Sequence, residues 1–197
     1  MQTEPIIVNI SQDKINKTWF ISDIHFTHNK SFLYEPRGFS SIEDHDKTII
    51  ENWNRLIGIN DEVYYLGDFM LNDYDKSIEY IKSLNGKIHL FIGNHDSNKK
   101  IELYKTCSNI ISIEYATILK IKKYNFWLSH YPTMVHNLRD DKKIWSIHGH
   151  THSKEKFSKE YNHCYNVCLD AHNNRPINLQ QILEDIKNKE KEMKDNV

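Results

Sequence analysis

The sequence predicts an α/β fold in which two β-sheets pack against each other. Short apolar runs rich in aromatic and β-branched residues recur along the 197-residue chain and are typical of buried strands. Stretches with helical spacing separate these runs, and this alternation favours a largely parallel sheet. A hairpin and closely spaced strands late in the chain indicate a second, more antiparallel sheet. We therefore expect one domain, a two-sheet sandwich, over residues 1–197.

Five of the predicted strands end on polar residues of the same chemical kind. These apolar runs are 19–22, 63–66, 88–92, 126–129 and 144–147. A later strand is expected at 165–169, and the hairpin turns at 122–125. Because ligands gather at the carboxyl ends of the strands in such sheets, the polar side chains that follow the five runs should converge there.

Helices are predicted between and after the strands. A capping box, Ser40-Ser41-Ile42-Glu43, opens a helix whose buried side carries Ile49 and Trp53. Further helices are expected over 74–84, over 99–107 and from Leu179 onward. The last of these becomes entirely polar, so we expect it to fray from about residue 187.

Composition excludes several classes of partner. The 26 Lys and Arg residues nearly balance the 27 Asp and Glu residues, and the formal net charge of −1 leaves no strong footprint for nucleic acid or an anionic membrane. Three cysteines without zinc-finger spacing are expected to be packing residues in a reducing cytoplasm. No run approaches the ~20 apolar residues of a membrane span, and the N-terminal residues do not show the basic and apolar pattern of a signal peptide. We expect a soluble cytoplasmic protein.

The polar strand ends supply side chains suited to divalent ions. In chain order they are Asp23, His25, Asp68, Asn94, His95, His130, His150 and His152. Carboxylate, imidazole and amide donors suit ions such as Mn, Fe, Zn or Ni, and the lack of Cys argues against a closed structural zinc site. Without His95, the set is sufficient for two ions that share one carboxylate. Two ions about 3.5–4 Å apart can promote an in-line phosphoryl transfer.

The same residues carry a resemblance to a known family. The blocks Asp23-Ile24-His25, Gly67-Asp68, Gly93-Asn94-His95-Asp96, His130 and Gly149-His150-Thr151-His152 resemble, in order, the signature of the calcineurin-like metallophosphoesterase superfamily. The resemblance spans residues 19–152. It implies an αββα sandwich of two mixed β-sheets flanked by helices, with a dimetal site at the strand carboxyl ends.

The resemblance also implies a role for each residue. Asp23, His25 and His152 would hold the first ion, Asn94, His130 and His150 the second, and Asp68 would bridge them. His95 would contact the phosphate and assist the leaving group, and Asp96 would orient His95 through its other ring nitrogen. The two divalent ions are expected to be manganese, with Fe, Zn, Ni or Mg as alternatives.

Flanking features are similar to a group of small single-domain bacterial and phage phosphoesterases. They are the run Asp23-x-His25-Phe26-x-His28, the segment from Arg37 to Ser41 before a helix carrying Asn52-Trp53-Asn54, and the stretch from Asn166 to Ile177. This chain departs from the group at Gly38, where Pro is usual, and at His172, where an aromatic residue is usual. The segment 133–143 matches poorly.

Two further residues are candidate substrate contacts. His28 lies in a loop past His25 and is expected at the rim, either as a contact to the substrate or to the ligand residues or as a structural loop residue, with a metal ligand as the least favoured alternative. Arg37 is one of few arginines, and a guanidinium suits a phosphate, although a surface position is the alternative. Arg139 and Arg175 are expected at the surface.

The remaining histidines and charge runs are expected to be structural. His148 is predicted to be buried beside the ligands, and His89 to lie in or near the core. The other predictions are surface positions for His45, His136 and His163, no assignment for His172, and solvated turns at Lys99-Lys100 and 140–143.

The expected function is a metal-dependent phosphoesterase, foremost a phosphodiesterase acting on small, nucleotide-like phosphate esters. The alternatives are a phosphomonoesterase or protein phosphatase, a nuclease of the same superfamily, and a non-catalytic binding scaffold of the same fold. The long DNA-binding and coiled-coil parts of the nucleases are not found in this sequence, and the scaffold reading conflicts with its full set of ligand types. Oligomeric state is left open.

Overall fold

The computed structural model describes residues 7–133, 144–159 and 163–195. Its strands are β1 (Ile7–Asn9), β2 (Thr18–Ile21), β3 (Glu62–Tyr65), β4 (Lys87–Phe91), β5 (Ile110–Glu114), β6 (Ala116–Ile121), β7 (Tyr124–Ser129), β8 (Ile144–His148), β9 (Cys164–Asn166) and β10 (Ile177–Asn178). Its α-helices are α1 (Ser31–Tyr34), α2 (Ile42–Leu56), α3 (Tyr74–Lys82), α4 (Asn98–Tyr104) and α5 (Leu179–Asp195). Short 3-10 helices span Gln12–Lys17 and Leu169–Ala171.

The first sheet has the strand order β10-β2-β3-β4-β5, and only β10 runs antiparallel to its neighbour. In its centre Phe20 pairs with Tyr64, and Ile21 pairs with Tyr65. Because alternate side chains point to opposite faces of a strand, the first pair lies on one face of the sheet and the second pair on the other. Burial on both faces explains why these strands read as continuous apolar runs.

The second sheet has the strand order β1-β6-β7-β8-β9. Only the β6/β7 hairpin is antiparallel, while β1 pairs parallel with β6, and β8 and β9 continue parallel from β7. The prediction of a more antiparallel second sheet was therefore wrong. The connection 130–143 is long enough for the crossover that a parallel β7/β8 pair needs.

Two apolar clusters form the core of the described residues. The cluster between the sheets combines Phe20 and Tyr64 with Trp145 and Tyr165, and α5 contributes residues such as Ile182. The other cluster joins the opposite face of the first sheet to helices α2, α3 and α4. The architecture is an α/β fold of two mixed sheets flanked by helices, as the sequence predicted.

The boundaries of several elements differ from the predicted ones. The cap of α2 is Ser41, whose hydroxyl accepts from the Asp44 N–H at 3.1 Å, one residue after the predicted start. Helix α5 continues through Asp195, so fraying from residue 187 is not observed over 187–195. The late strand β9 ends at Asn166, where a short 3-10 helix follows. Strands β1, β5 and β10 were not predicted.

Two further expectations can be compared with the fold. All three cysteines, Cys107, Cys164 and Cys168, are buried free thiols, which confirms their assignment as packing residues. Over the described ranges, no helix combines the length and apolar character that a membrane crossing requires.

Candidate metal centre

The predicted ligands lie in the turns that follow β2, β3, β4, β7 and β8. Five of the seven have positive φ, between 48° and 67°: Asp23, His25, Asp68, His150 and His152. Residues with a Cβ adopt this left-handed conformation rarely, and each instance costs about 1–3 kcal/mol of strain. These positive φ values turn the backbone after β2, β3 and β8, where side chains from both sheets meet.

A first ligand group consists of Asp23, His25 and His152. Their donor atoms lie within 4.8 Å of one another, and the Nε2 atoms of His25 and His152 are 3.2 Å apart. Two ligand atoms bound to one ion at about 2.0–2.1 Å lie about 3.0–3.4 Å from each other. Within the described residues, the buried Asp23 Oδ1 has no hydrogen-bond partner, and it lies 3.8 Å from His152 Nε2. A divalent ion would satisfy this orphaned oxygen, so the group fits a metal.

A second ligand group consists of Asn94, His130 and His150. Asn94 Oδ1 is 2.9 Å from both His130 Nε2 and His150 Nδ1, and the two ring nitrogens are 3.2 Å apart. His130 Nδ1 donates to the Leu66 carbonyl at 2.8 Å, which leaves the Nε2 lone pair directed at the group. These three donors also have the separations expected around one ion.

Asp68 lies between the two groups. Its Oδ2 is 3.8 Å from His25 Nε2 in the first ligand group and 3.5 Å from His130 Nε2 in the second. Its Oδ1 accepts the His95 backbone N–H at 2.9 Å, which fixes the carboxylate plane. Asp68 is thus placed to share its charge between two ions.

The interior of the centre is buried and its rim is open. Burial, followed by the nearby His152, lowers the pKa of His25 to about 2, and burial raises the pKa of Asp68 to about 6. Neutral imidazoles are ready ligands, and a buried carboxylate gains most from an added cation. By contrast, Asn94, His150 and His152 are exposed, so small molecules can reach the ligands from one side.

Two glycines permit the close approach of these turns. A Cβ at Gly93 would overlap the Asp68 carboxylate, and one at Gly149 would overlap the Ser22 hydroxyl and the Asp23 carboxylate. The absence of a side chain at both positions is therefore a packing requirement of the centre.

His95 and Asp96 differ in their surroundings. The exposed His95 ring meets the His25 ring edge-on at 5.3 Å, which places it beside the first ligand group. Asp96 is 5% exposed and accepts from Asp68 N at 2.8 Å, Gly93 N at 2.9 Å and the Tyr104 hydroxyl at 2.7 Å. Among the hydrogen bonds of the described residues, none joins its carboxylate to the His95 ring. The predicted orienting role is corrected: Asp96 supports the backbone of two ligand turns.

Arg37 does not line the open rim. Its side chain is 1% exposed and lies behind the first ligand group, where it pairs with Asp170 at 2.8 Å. It also donates to the carbonyls of Asp23 and Ile24. The prediction of a substrate contact is corrected, because a buried guanidinium with these partners has no donor directed at solvent.

His45 also differs from its prediction. It is fully buried, with its Nε2 3.0 Å from Arg37 Nη1 and its Nδ1 2.8 Å from Asp46. The expected surface position was wrong, because the residue lies on the buried side of α2 and belongs to the arginine network.

His28 is partly buried at the rim, where its ring lies 5.8 Å from that of His25 and 5.5 Å from that of Phe32. Burial and the neighbouring His95 lower its pKa. His28 therefore stays a candidate substrate contact.

The other predicted positions gave mixed results. His148 is buried and His89 is partly buried against Glu62, as expected. His172 is buried with Nε2 2.8 Å from the Asn166 carbonyl, His163 is half-buried against Trp145, and Arg175 is exposed. His136, Arg139 and the run 140–143 lie outside the described residues.

Sequence reasoning missed two supporting residues. Lys100 is 4% exposed and donates to the Met70 carbonyl at 2.6 Å and the His95 carbonyl at 2.8 Å, so its assignment to a solvated turn was wrong. Its only sequence signal was its position in α4 just after the Gly93–Asp96 block. Asp170 contacts His152, and its signal was its place in the late stretch that resembles the small phosphoesterase group.

Comparisons with known proteins agree with this geometry. The family model for calcineurin-like phosphoesterases matches residues 17–196. An uncharacterized protein of Methanocaldococcus jannaschii is 35% identical, covering 86% of this chain and 91% of its own length. The gene 66 protein of Mycobacterium phage L5 is 30% identical, and the match covers 71% of this chain and 79% of the phage protein.

A solved structure extends the comparison to the fold. A protein of unknown function from Aquifex aeolicus superposes with a TM-score of 0.68 at 26% identity, covering 85% of this chain and 97% of that one. With the family match over most of its length and donor groups that fit divalent metals, the chain belongs to the calcineurin-like phosphoesterases, a family of metal-dependent hydrolases that act on phosphate esters.

Proposed function

We propose that the protein is a phosphodiesterase that uses two divalent ions, foremost manganese, to hydrolyse small nucleotide-like phosphate esters. The observation that carries the proposal is the placement of Asp68 between two ligand groups whose donor spacings each suit one ion. Two ions held there would lower the pKa of an attacking water and neutralise charge on the phosphate oxygens.

Other residues of the chain would bind the substrate, assist the leaving group and support the backbone of the centre. The first ligand group with Asp68 sets where the phosphate lies, and the exposed His95 ring beside it can donate a hydrogen bond to the leaving oxygen. His28, next to His25, is proposed as a contact to the substrate. Asp96 and Lys100 hold the backbone on either side of His95.

Two exposed aromatic rings support a nucleotide-like substrate. Phe32 is 71% exposed and lies against His28, and Tyr131 is 49% exposed with its ring 4.6 Å from that of His150. A phosphodiester carries a group on each side of its phosphate, and both rings lie beside residues of the centre. A nucleobase stacked on an aromatic ring gains about 1–3 kcal/mol.

Composition supports a proposal for the compartment and the partners. We propose a cytoplasmic location, because three buried free thiols accord with a reducing environment. The near-zero net charge favours a small substrate over a nucleic-acid duplex.

Turnover of bis-p-nitrophenyl phosphate and of p-nitrophenyl phosphate with Mn²⁺ tests the reaction. We expect metal-dependent hydrolysis with higher kcat/KM on the diester, loss of activity and of one or both ions in Asp68→Asn, and loss of rate with normal metal content in His95→Ala. Preference for the monoester would favour a phosphomonoesterase. A wild-type protein that binds no metal and cleaves neither ester would refute the enzyme proposal.

Competitive inhibition tests the nucleotide preference. Adenosine 5′-monophosphate and ribose 5-phosphate differ only in the base, so the ratio of their inhibition constants reports stacking. We expect the nucleotide to bind at least ten-fold more tightly, and Phe32→Ala or Tyr131→Ala to reduce that ratio several-fold. Ile59→Ala, which removes a 75% exposed side chain in the loop entering β3 at its amino end, is the control. Equal inhibition by both compounds would exclude base recognition.

A further inference from the structure

A buried ion pair lies directly behind the first ligand group. Arg37 Nε donates to Asp170 Oδ1 at 3.0 Å and Nη2 donates to Oδ2 at 2.8 Å, a bidentate arrangement between residues 133 positions apart. The two side chains are 1% and 9% exposed. Burying both charges is costly, so the pair is weak evidence for stability by itself. Its contacts indicate what it does here.

Arg37 holds the turn that carries two ligands. Its Nη2 donates to the Asp23 carbonyl at 2.8 Å, and its Nη1 donates to the Ile24 carbonyl at 3.2 Å. Asp23 and His25, which flank Ile24, have φ of 60° and 54°. The guanidinium therefore stabilises a strained backbone from which both side chains reach the centre.

Asp170 holds the third member of the same group. Its Oδ2 is 3.1 Å from His152 Nδ1. The same Nδ1 lies 3.3 Å from Arg37 Nη2, which only donates. The Asp170 contact is the shorter of the two, and because a carboxylate only accepts, it favours a proton on Nδ1 and leaves the Nε2 lone pair for a metal. That Nε2 is the atom 3.2 Å from His25 Nε2 inside the first ligand group.

The second ligand group has support of its own at His130, although the His150 N–H donates to Asp23 Oδ2 at 2.9 Å and so joins the two groups. His130 is oriented by the Leu66 carbonyl, and its backbone follows β7 in the second sheet. The contacts of Arg37 are to Asp23, Ile24, His45, His152 and Asp170. The ion pair is thus linked to one half of the centre.

We propose that Asp170, held in place by Arg37, is a positioning residue that sets the metal affinity of the first ligand group much more than that of the second. The inference rests on the two-ion centre proposed above. Asp170 is not itself placed as a ligand, because Arg37 occupies both of its oxygens and neutralises its charge. Arg37 in turn is aligned by His45, whose Nδ1 is 2.8 Å from Asp46, and Asp46 accepts the Thr27 N–H at 3.0 Å.

Manganese binding to the metal-free full-length protein tests the proposal. Equilibrium dialysis and the electron paramagnetic resonance spectrum report the number of ions and whether they are coupled. For the wild type we expect two bound ions and a coupled spectrum. For Asp170→Asn we expect a 10–100-fold weaker affinity for one ion, a much smaller loss for the other, and the spectrum of a mononuclear ion at intermediate Mn²⁺.

Arg37 variants and a matched control complete the design. Arg37→Lys should lose less affinity than Arg37→Met, since it keeps the charge but not the bidentate geometry. Asp185→Asn removes a comparable carboxylate, paired with Lys156 at 2.9 Å and Tyr165 at 2.6 Å but outside the centre, and should bind both ions normally. Urea unfolding of each metal-free variant confirms that it is folded. If Asp170→Asn does not fold, the two Arg37 variants decide.

The outcomes are distinguishable. A wild type without metal would refute the proposed function itself. A wild type with two ions, together with an Asp170→Asn or Arg37→Met protein that binds both normally or weakens both equally, would overturn this inference only. Recovery of the wild-type kcat in Asp170→Asn at saturating Mn²⁺, with a raised half-saturating concentration, would support positioning and not general destabilisation.

Discussion

Replacement of Asp96 should destabilise the protein and separate two possible roles for this carboxylate. Asp96→Ala would leave the N–H groups of Asp68 and Gly93 and the Tyr104 hydroxyl without the acceptor that they share. A hydrogen bond to a charged acceptor contributes about 1.5–3 kcal/mol, so loss of the two backbone bonds should lower the free energy of unfolding by about 3–6 kcal/mol.

A more conservative change should have a smaller effect. In Asp96→Asn the amide oxygen can still accept from both backbone N–H groups, while its nitrogen can donate to the Tyr104 oxygen. Only the charge is lost, and we expect a destabilisation of about 1–2 kcal/mol. Urea unfolding of metal-free protein at neutral pH measures both variants without the contribution of bound ions.

The double variant with His95→Ala decides between the two roles. If Asp96 acted by orienting the His95 ring, the rate loss of Asp96→Asn would disappear once His95 was gone. The structure predicts that Asp96→Asn lowers the free energy of unfolding by the same amount in the wild-type protein and in the His95→Ala protein. An Asp96→Ala protein that unfolds at the wild-type urea concentration would refute the reasoning.

Three further predictions concern other supported positions. Burial lowers the pKa of His172 to about 4, so this neutral imidazole contributes stability that is present above pH 6.5 and is lost as the pH falls towards 4. Between these pH values, His172→Phe should reduce the slope of the unfolding free energy against pH by about 1.4 kcal/mol per pH unit. An unchanged slope would contradict this prediction. Lys100→Met leaves two carbonyl groups without their donor and should lower the free energy of unfolding in urea by about 2–4 kcal/mol. The same change at its exposed neighbour, Lys99→Met, should lower it by under about 0.5 kcal/mol. Similar losses for both variants would be evidence against a structural role for Lys100. Gly93→Ala should weaken Mn²⁺ binding measured by dialysis because its Cβ overlaps a ligand, while Gly58→Ala, whose Cβ meets only ordinary contacts, should bind normally.

Local sequence patterns were sufficient for the features that depend on a short stretch of chain. An apolar run that ends on Asp23 or His130 predicts both a buried strand and a polar turn, because burial and turn geometry act within a few residues. The positions of the sheet strands that carry ligands followed from this. The two-residue strand β10 and the edge strands β1 and β5 did not, since their pairing is supplied by distant neighbours.

The supporting residues could not be assigned in this way. Arg37 was read as a surface or phosphate-binding residue because its partner, Asp170, lies 133 residues away. His45 and Lys100 were read from their polarity, although each is buried by contacts that only the folded chain makes. Asp96 was assigned by resemblance to the His95 ring, whereas its hydrogen bonds within the described residues go to Asp68, Gly93 and Tyr104. Sequence therefore indicates which atoms belong to the centre better than it indicates how they are held.

The distribution of the ligands over two sheets has a mechanical consequence. Asp23 and Asn94 follow strands of the first sheet, whereas His130 and His152 follow strands of the second. A bound ion is therefore a cross-link between the sheets at one edge of the sandwich. Chelation should allow that edge to open, raising amide hydrogen exchange and protease cleavage in the ligand turns well before the core unfolds. The supply of metal would then control the lifetime of the protein as well as its activity.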